Sequence, residues 1–241
     1  MTALLIATRN AHKAGEIRAI LGEGRYLTLD GFPGAPNVVE DASTFAGNAT
    51  KKAVELAKWL SAANDSRFTI HDSRLFVLAD DSGLEVDALN GAPGVHSARF
   101  AALDSGAAGN SSDAENIAKL LRLLKDVPLE ERTARFRCVI ALTPLIRDKV
   151  ESASPVCYVD EFEMQTQFFE GACEGRIGFA PRGQCGFGYD PLFLPDGITQ
   201  TFAELGEEIK NRLSHRGRAL AKLKDRLERQ SEIARRPGTP G

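Results

Sequence analysis

ALLIATRNAHKAGEIRAILGEG, Ala3 to Gly24, is the stretch on which the fold turns. Its first residues, Ala3 to Ala7, form a short continuous apolar run, the pattern of a strand covered on both faces. The run ends abruptly in a polar turn, Thr8 to Asn10. Beyond the turn, Ile17, Ile20 and Leu21 recur at helical spacing, and Gly22 and Gly24 stop the helix. A buried strand that hands directly to a helix is the opening of an α/β unit.

Outward from there, Tyr26 to Leu29 reads as a second strand and Gly31 to Asn37 as a Pro/Gly-rich loop. Ser43 or Thr44 can cap the next helix, whose inner face is Phe45, Ala49, Ala53, Leu56, Ala57 and Leu60. The polar Ser61 to Arg74 reads as an insertion or hairpin. Leu75 to Ala79 is a short buried strand, and Asp80 to Arg99 a glycine-rich loop. Ser112 to Lys125 is helical, with Ile117, Leu120, Leu121 and Leu124 inward. Thr133 to Leu142 and Val156 to Phe169 alternate as long strands. A second glycine-rich loop, Gly183 to Asp190, leads to a short strand, Leu192 to Leu194. The last helix runs from about Ser214 to Ile233, and the closing RRPGTPG is a frayed tail. Early alternation of strands and helices, with long strands late, predicts an α/β fold around a mixed sheet. One domain spans residues 1–233, with a tail at 234–241.

Composition narrows the function. Hydrophobic residues make up 43% of the 241, enough for a substantial core. A net charge of −3 argues against a general nucleic-acid binder, whereas a small anionic ligand needs only a few local cations. Cys138, Cys157, Cys173 and Cys185 form no C-x-x-C pair. With no secretory signal, they read as reduced thiols in the cytoplasm. No apolar run approaches the ~18 residues a membrane span needs.

Five segments carry chemistry, and each has an ordinary reading beside the functional one. TRNAHKAGE, Thr8 to Glu16, lies where strand meets helix, where backbone N–H groups attract anions and Lys13 can reach a phosphate; it also suits a plain capped connection. Asp80 and Asp81 follow an apolar strand, and neighbours in extended chain face opposite ways, so one acid faces a site and the other holds the loop. An Asp-rich turn is the ordinary alternative. Glu40 precedes a helix on which Asn48 and Lys52, four apart, share a face, as on many solvated helices. In GQCGFGYDP, Gly183 to Pro191, Phe187 or Tyr189 can stack on a base or fold back into the core. KNRLSHRGRAL offers Lys210, His215 and Arg216 as donors, or a solvated basic face with Ser214 as helix cap. There is no Walker A spacing, no H-E-x-x-H, no zinc-type Cys/His cluster and no G-x-S-x-G elbow.

Taken in order, these segments resemble the inosine/xanthosine triphosphate pyrophosphatases, the Ham1-like family that acts on non-standard purine nucleotides. The resemblance runs from Leu4 to Leu223 and rests on Thr8, Asn10, Lys13 and Glu16; Phe45, Asn48, Ala49 and Lys52; ADDSGLEVDAL with GAPG and SAR; GFGYDP; and SHRG. It implies an elongated, two-lobed α/β domain with a central cleft, a homodimer, and Mg²⁺-dependent cleavage of ITP, dITP and XTP to the monophosphate and pyrophosphate. It makes Asp81 the catalytic carboxylate and Glu40 with Asp81 the metal pair. Thr8, Arg9, Asn10, Ala11, His12 and Lys13 match the triphosphate-binding segment, and Lys52 is placed to touch phosphate. Ser82, Phe187, Gly188, Tyr189, Asp190, Lys210, His215 and Arg216 match substrate-binding positions. Donors such as His215 and Arg216 would select a 6-keto purine. The stretches Asp65 to Arg74 and Ser152 to Gln167 are longer than the family pattern. A Maf-like pyrophosphatase for other nucleotides and a nucleotide-binding regulator without turnover are the alternatives.

Overall fold

The computed structural model describes residues 2–63, 75–104, 106, 109–146 and 160–235, with side chains to residue 230. Six strands form one mixed sheet in the order β2-β1-β3-β4-β5-β6. They are β1 Ala3–Ile6, β2 Arg25–Thr28, β3 Leu75–Val86, β4 Thr133–Pro144, β5 Gln167–Ile177 and β6 Phe193–Pro195. β1 runs parallel to β2 and to β3; β3, β4, β5 and β6 pair antiparallel. The helices are α1 Ala11–Leu21, α2 Phe45–Ala63, α3 Asp113–Leu123, α4 Glu161–Met164, α5 Phe202–Leu205, α6 Glu207–Leu213 and α7 His215–Arg235.

Strand alternation distributes the helices. Val77 and Ala79 of β3 point to α2 and join Ala53, Leu56 and Ala57 in one core. Phe76 and Leu78 point the other way, to Ile17 of α1 and Leu220 and Leu223 of α7. A third core gathers Leu84, Val86, Phe136, Phe193 and Phe202 with Leu120 of α3 and its C-cap Leu124.

The expected α/β fold around a mixed sheet is present. Three local expectations are corrected. The glycine-rich loop expected from Asp80 is instead strand as far as Val86, so Asp80 and Asp81 sit in mid-strand rather than at a strand end. Their backbones are held by β4, with Asp80 opposite Ile140 and Asp81 opposite Val139. The strand expected from Val156 is, where described, the short helix α4, and β5 starts only at Gln167. Asp160 caps α4, its side chain accepting from the Phe162 N–H at 3.0 Å, and this local turn outcompetes extension. Ser61 to Ala63 extend α2 rather than opening an insertion. The rest of that insertion, residues 64–74, lies outside the described residues, as do 152–159 of the second long stretch and 236–241 of the tail.

Candidate active site

β1 ends at Ile6, and its partners on β3 are Leu75 to Leu78. β3 continues past that point without β1 beside it, and a cleft of about 480 Å³ opens there. The outer ends of strands are where sites gather in open α/β sheets. Asp81, Ser82 and Gly83 line the floor; Thr8, Arg9, Asn10 and Lys13 form one wall with Lys210, His215 and Arg216; Glu40 and Lys52 face them; Phe187 to Asp190 overhang.

The β1–α1 turn is built by its own side chains. Thr8 Oγ accepts from the Asn10 N–H at 3.1 Å, and Asn10 Oδ1 caps the helix by accepting from the Lys13 N–H at 3.1 Å. The N–H groups of Ala11 and His12 in the same first turn have no partner among the described residues, and such groups favour an anion. Neither residue lines the cleft, which this turn reaches through Thr8, Arg9, Asn10 and Lys13. His12 instead stacks on Phe187, ring centroids 5.5 Å apart. Lys13 is not solvated: its ammonium lies 2.6 Å from Asp80.

Alternation sends the two acids to opposite faces. Asp81 turns toward α2, where Asn48 donates to its Oδ2 at 3.1 Å. Burial pushes its carboxyl up to about 6, while Lys52 and Lys13 pull the other way. Lys52 Nζ reaches Glu40 Oε2 at 3.1 Å, the Asp80 carbonyl at 2.7 Å and Asp81 Oδ1 at 3.8 Å. One ammonium thus sits between the two carboxylates assigned to metal. Arg99, at the end of the SAR motif, holds the Glu40 carbonyl at 3.1 Å. Asp80 turns toward α1 and α7 and holds cations rather than the loop. The guanidinium of Arg216 and the ammonium of Lys13 keep its carboxyl well below the usual range despite burial.

The remaining donors are engaged. Lys210 bridges Glu16 at 2.5 Å and Asp190 at 2.6 Å. Arg216 pairs with Glu16 and Asp80 and reaches Ser82 Oγ at 2.8 Å. Four of its five N–H groups are thereby taken, leaving one on Nη1. His215 lies flat on Phe136, its ring centroid 4.8 Å away, and its buried Nδ1 has no partner among the described residues. Tyr189 packs into the third core and donates to the Ser97 carbonyl at 2.9 Å, whereas the Phe187 ring borders the cleft between the stacked His12 and the Lys210 ammonium, 4.8 Å from its centroid. Gly188 N–H is held by Asp113 at 2.6 Å, and Phe187 N–H by Asp190 at 2.9 Å. Arg99 had only its place in the SAR motif to mark it, and Asp113 only its place at the start of a helix.

Cations and free helix N–H groups facing a carboxylate pair define a cleft suited to a polyphosphate ligand and a divalent cation. The comparisons agree with the polyphosphate ligand. Residues 4–226 match the model of the Ham1 family. A dITP/XTP pyrophosphatase of Geobacillus kaustophilus is 43% identical over 230 residues, covering 95% of each chain. That of Geobacter sulfurreducens is 46% identical over 229 residues, covering 94% of this chain and 97% of its own. Among solved structures, a HAM1 protein from Coxiella burnetii is similar with TM-score 0.72 and 36% identity, over 95% of this chain and all of that one. The chain belongs to the Ham1 family.

Proposed function

We propose that the protein hydrolyses the triphosphates of non-standard purines, ITP, dITP and XTP, to the monophosphate and pyrophosphate, with Mg²⁺. The observation that carries the reading is the Lys52 ammonium between Glu40 and Asp81, in the same cleft that Thr8, Asn10 and Lys13 line. Two carboxylates plus phosphates and waters are the donor set Mg²⁺ favours. Among the described residues no larger acidic or His/Cys cluster is present that would select another metal. Glu40 and Asp81 would hold the ion, which when bound offsets charge on the phosphates.

The chain's own residues supply the rest. The Ala11 and His12 N–H groups, Lys13 and Lys52 bind and orient the phosphates. Water attacks the α phosphorus, the bond to the α–β bridging oxygen breaks, and pyrophosphate leaves with the electron pair. Asp81 takes the water's proton; its raised pKa makes it a better base than an ordinary carboxylate. Phe187 borders the purine with its ring, and the free Arg216 N–H and His215 edge offer polar contacts at the rim of the base. The relatives' names support the substrate class. A homodimer working in the cytoplasm completes the reading, in keeping with unpaired Cys138, Cys173 and Cys185 and with no described helix apolar enough to span a membrane.

The test is pyrophosphate release from ITP, dITP, XTP, GTP and ATP, with and without Mg²⁺. Rapid Mg²⁺-dependent turnover of the first three is expected. Asp81→Asn should lower kcat by roughly 10²-fold or more while the thermal melt is preserved. Full activity in that variant would remove Asp81 from its role.

A further inference from the structure

The buried carboxylate of Asp80 is used by neither the metal pair nor the proton transfer, yet beneath the cleft wall it holds two cations, a hydroxyl and a thiol. Its Oδ1 meets Lys13 Nζ at 2.6 Å, Ser82 Oγ at 3.1 Å and Arg216 Nη2 at 3.3 Å. Its Oδ2 meets Arg216 Nε at 3.1 Å and the Cys138 thiol at 3.1 Å. The side chain has no exposed surface. Both oxygens are therefore filled, on the face of β3 away from Glu40, and Asp80 has no position left for a metal.

Asp80 is also one link in an alternating series. Lys13 pairs with Asp80, Asp80 with Arg216, Arg216 with Glu16, Glu16 with Lys210, and Lys210 with Asp190. Three cations match three carboxylates, so the series is neutral before any ligand arrives. It starts at the phosphate-facing helix end and finishes at Asp190, which holds the backbone N–H of Phe187.

We infer that Asp80 is a positioning residue that ties the two ends of the nucleotide together through one carboxylate shared by Lys13 and Arg216. This rests on the pyrophosphatase reading. Phosphates that take up part of the Lys13 charge leave Asp80 to be balanced by Arg216 alone. Arg216 is then drawn toward Asp80, and the donor it shows to the base changes. Occupancy of the phosphate end thus alters discrimination at the base end, which is a coupling free energy between subsites.

The experiment compares wild type, Asp80→Asn and Lys13→Met by kcat and KM on ITP and ATP, by Mg²⁺ titration, and by equilibrium binding of both nucleotides without Mg²⁺. In both variants the ITP-to-ATP preference should fall about fivefold or more, although Lys13 lies at the phosphate end. In Asp80→Asn the loss should appear in KM, with the half-activating Mg²⁺ concentration unchanged. Equal losses on ITP and ATP in Lys13→Met overturn the coupling, and a shifted Mg²⁺ requirement in Asp80→Asn overturns the positioning role. If Asp80→Asn does not fold, Lys13→Met, which leaves the Asp80–Arg216 pair intact, decides the matter. If wild type does not hydrolyse ITP, the pyrophosphatase reading fails, and the binding ratios still decide the coupling.

Discussion

Asn48 uses both ends of its amide. Its Nδ2 donates to Asp81 at 3.1 Å, and its Oδ1 accepts from the Ala42 N–H at 2.9 Å, with the residue fully buried. It therefore fixes the acid and the loop leading to Glu40 at once. Asn48→Ala leaves a buried carboxylate oxygen and a backbone N–H without partners. The cost should be about 1–3 kcal/mol in a denaturant titration, and kcat should fall more than the melt alone explains, because Asp81 loses its orientation. A melt that drops while kcat per folded molecule stays at the wild-type value would reduce Asn48 to a packing residue. In the sequence, the spacing of Asn48 and Lys52 put them on one helical face, and that was legible. What they meet was not. Glu40 and Asp81 come from other segments, and only the fold sets Lys52 between them.

β3 shows why boundaries were harder than elements. Asp80 to Gly83 are turn-forming types by local chemistry, and their reading as a loop followed from that. Their backbones are instead held by a run of register partners on β4, from Asp80 opposite Ile140 to Gly83 opposite Arg137. Tertiary pairing overrides propensity here. Gly83 is glycine for space, not for backbone conformation: a Cβ there would lie 2.5 Å from the Gly94 carbonyl and from Ser97 Oγ, and 3.0 Å from Phe45. Gly83→Ala should destabilise by about 1–3 kcal/mol by overpacking. Gly15, inside α1, offers the contrast, with nothing within 4 Å of a Cβ. Gly15→Ala should stabilise by roughly 0.5–1 kcal/mol through helix propensity. Matched urea titrations of the two variants check both signs; equal effects would mean that crowding at β3 is relieved by movement of the Gly94 to Ser97 segment. The opposite case is α3, expected from Ser112 on apolar spacing: Ser112 caps it, exchanging with Glu115 the paired bonds of a capping box, so local chemistry and tertiary packing agree on the start.

At the scale of the molecule, the ends of α6 and α7, the floor of β3 and the start of α1 enclose one buried imidazole. His215 is surrounded by the aromatic face of Phe136, by Arg216 on its own helix, by Asp80 of β3, Lys210 of α6 and Lys13 of α1. Burial holds its pKa well below the ordinary value, the nearby cations lower it further, and Asp80 pulls it back only in part. The sign of the pH dependence follows. In the unfolded chain the imidazole takes up a proton as pH falls through about 6.5, whereas in the folded protein it does not. The stability held above that pH is therefore lost progressively as pH falls below it, at no more than about 1.4 kcal/mol per pH unit for one proton. Asp81 acts in the opposite sense, because its raised carboxyl favours the folded state as pH drops from about 6 toward 4. The contribution of His215 is thus read by difference. His215→Phe keeps a flat ring on Phe136 and removes the proton site, so unfolding free energies of wild type and variant should converge, or the variant overtake, as pH is lowered from 7 to 5. Parallel curves across that range would mean that His215 takes up its proton in the fold as readily as in the unfolded chain, a carboxylate of the buried series offsetting the cost of burial.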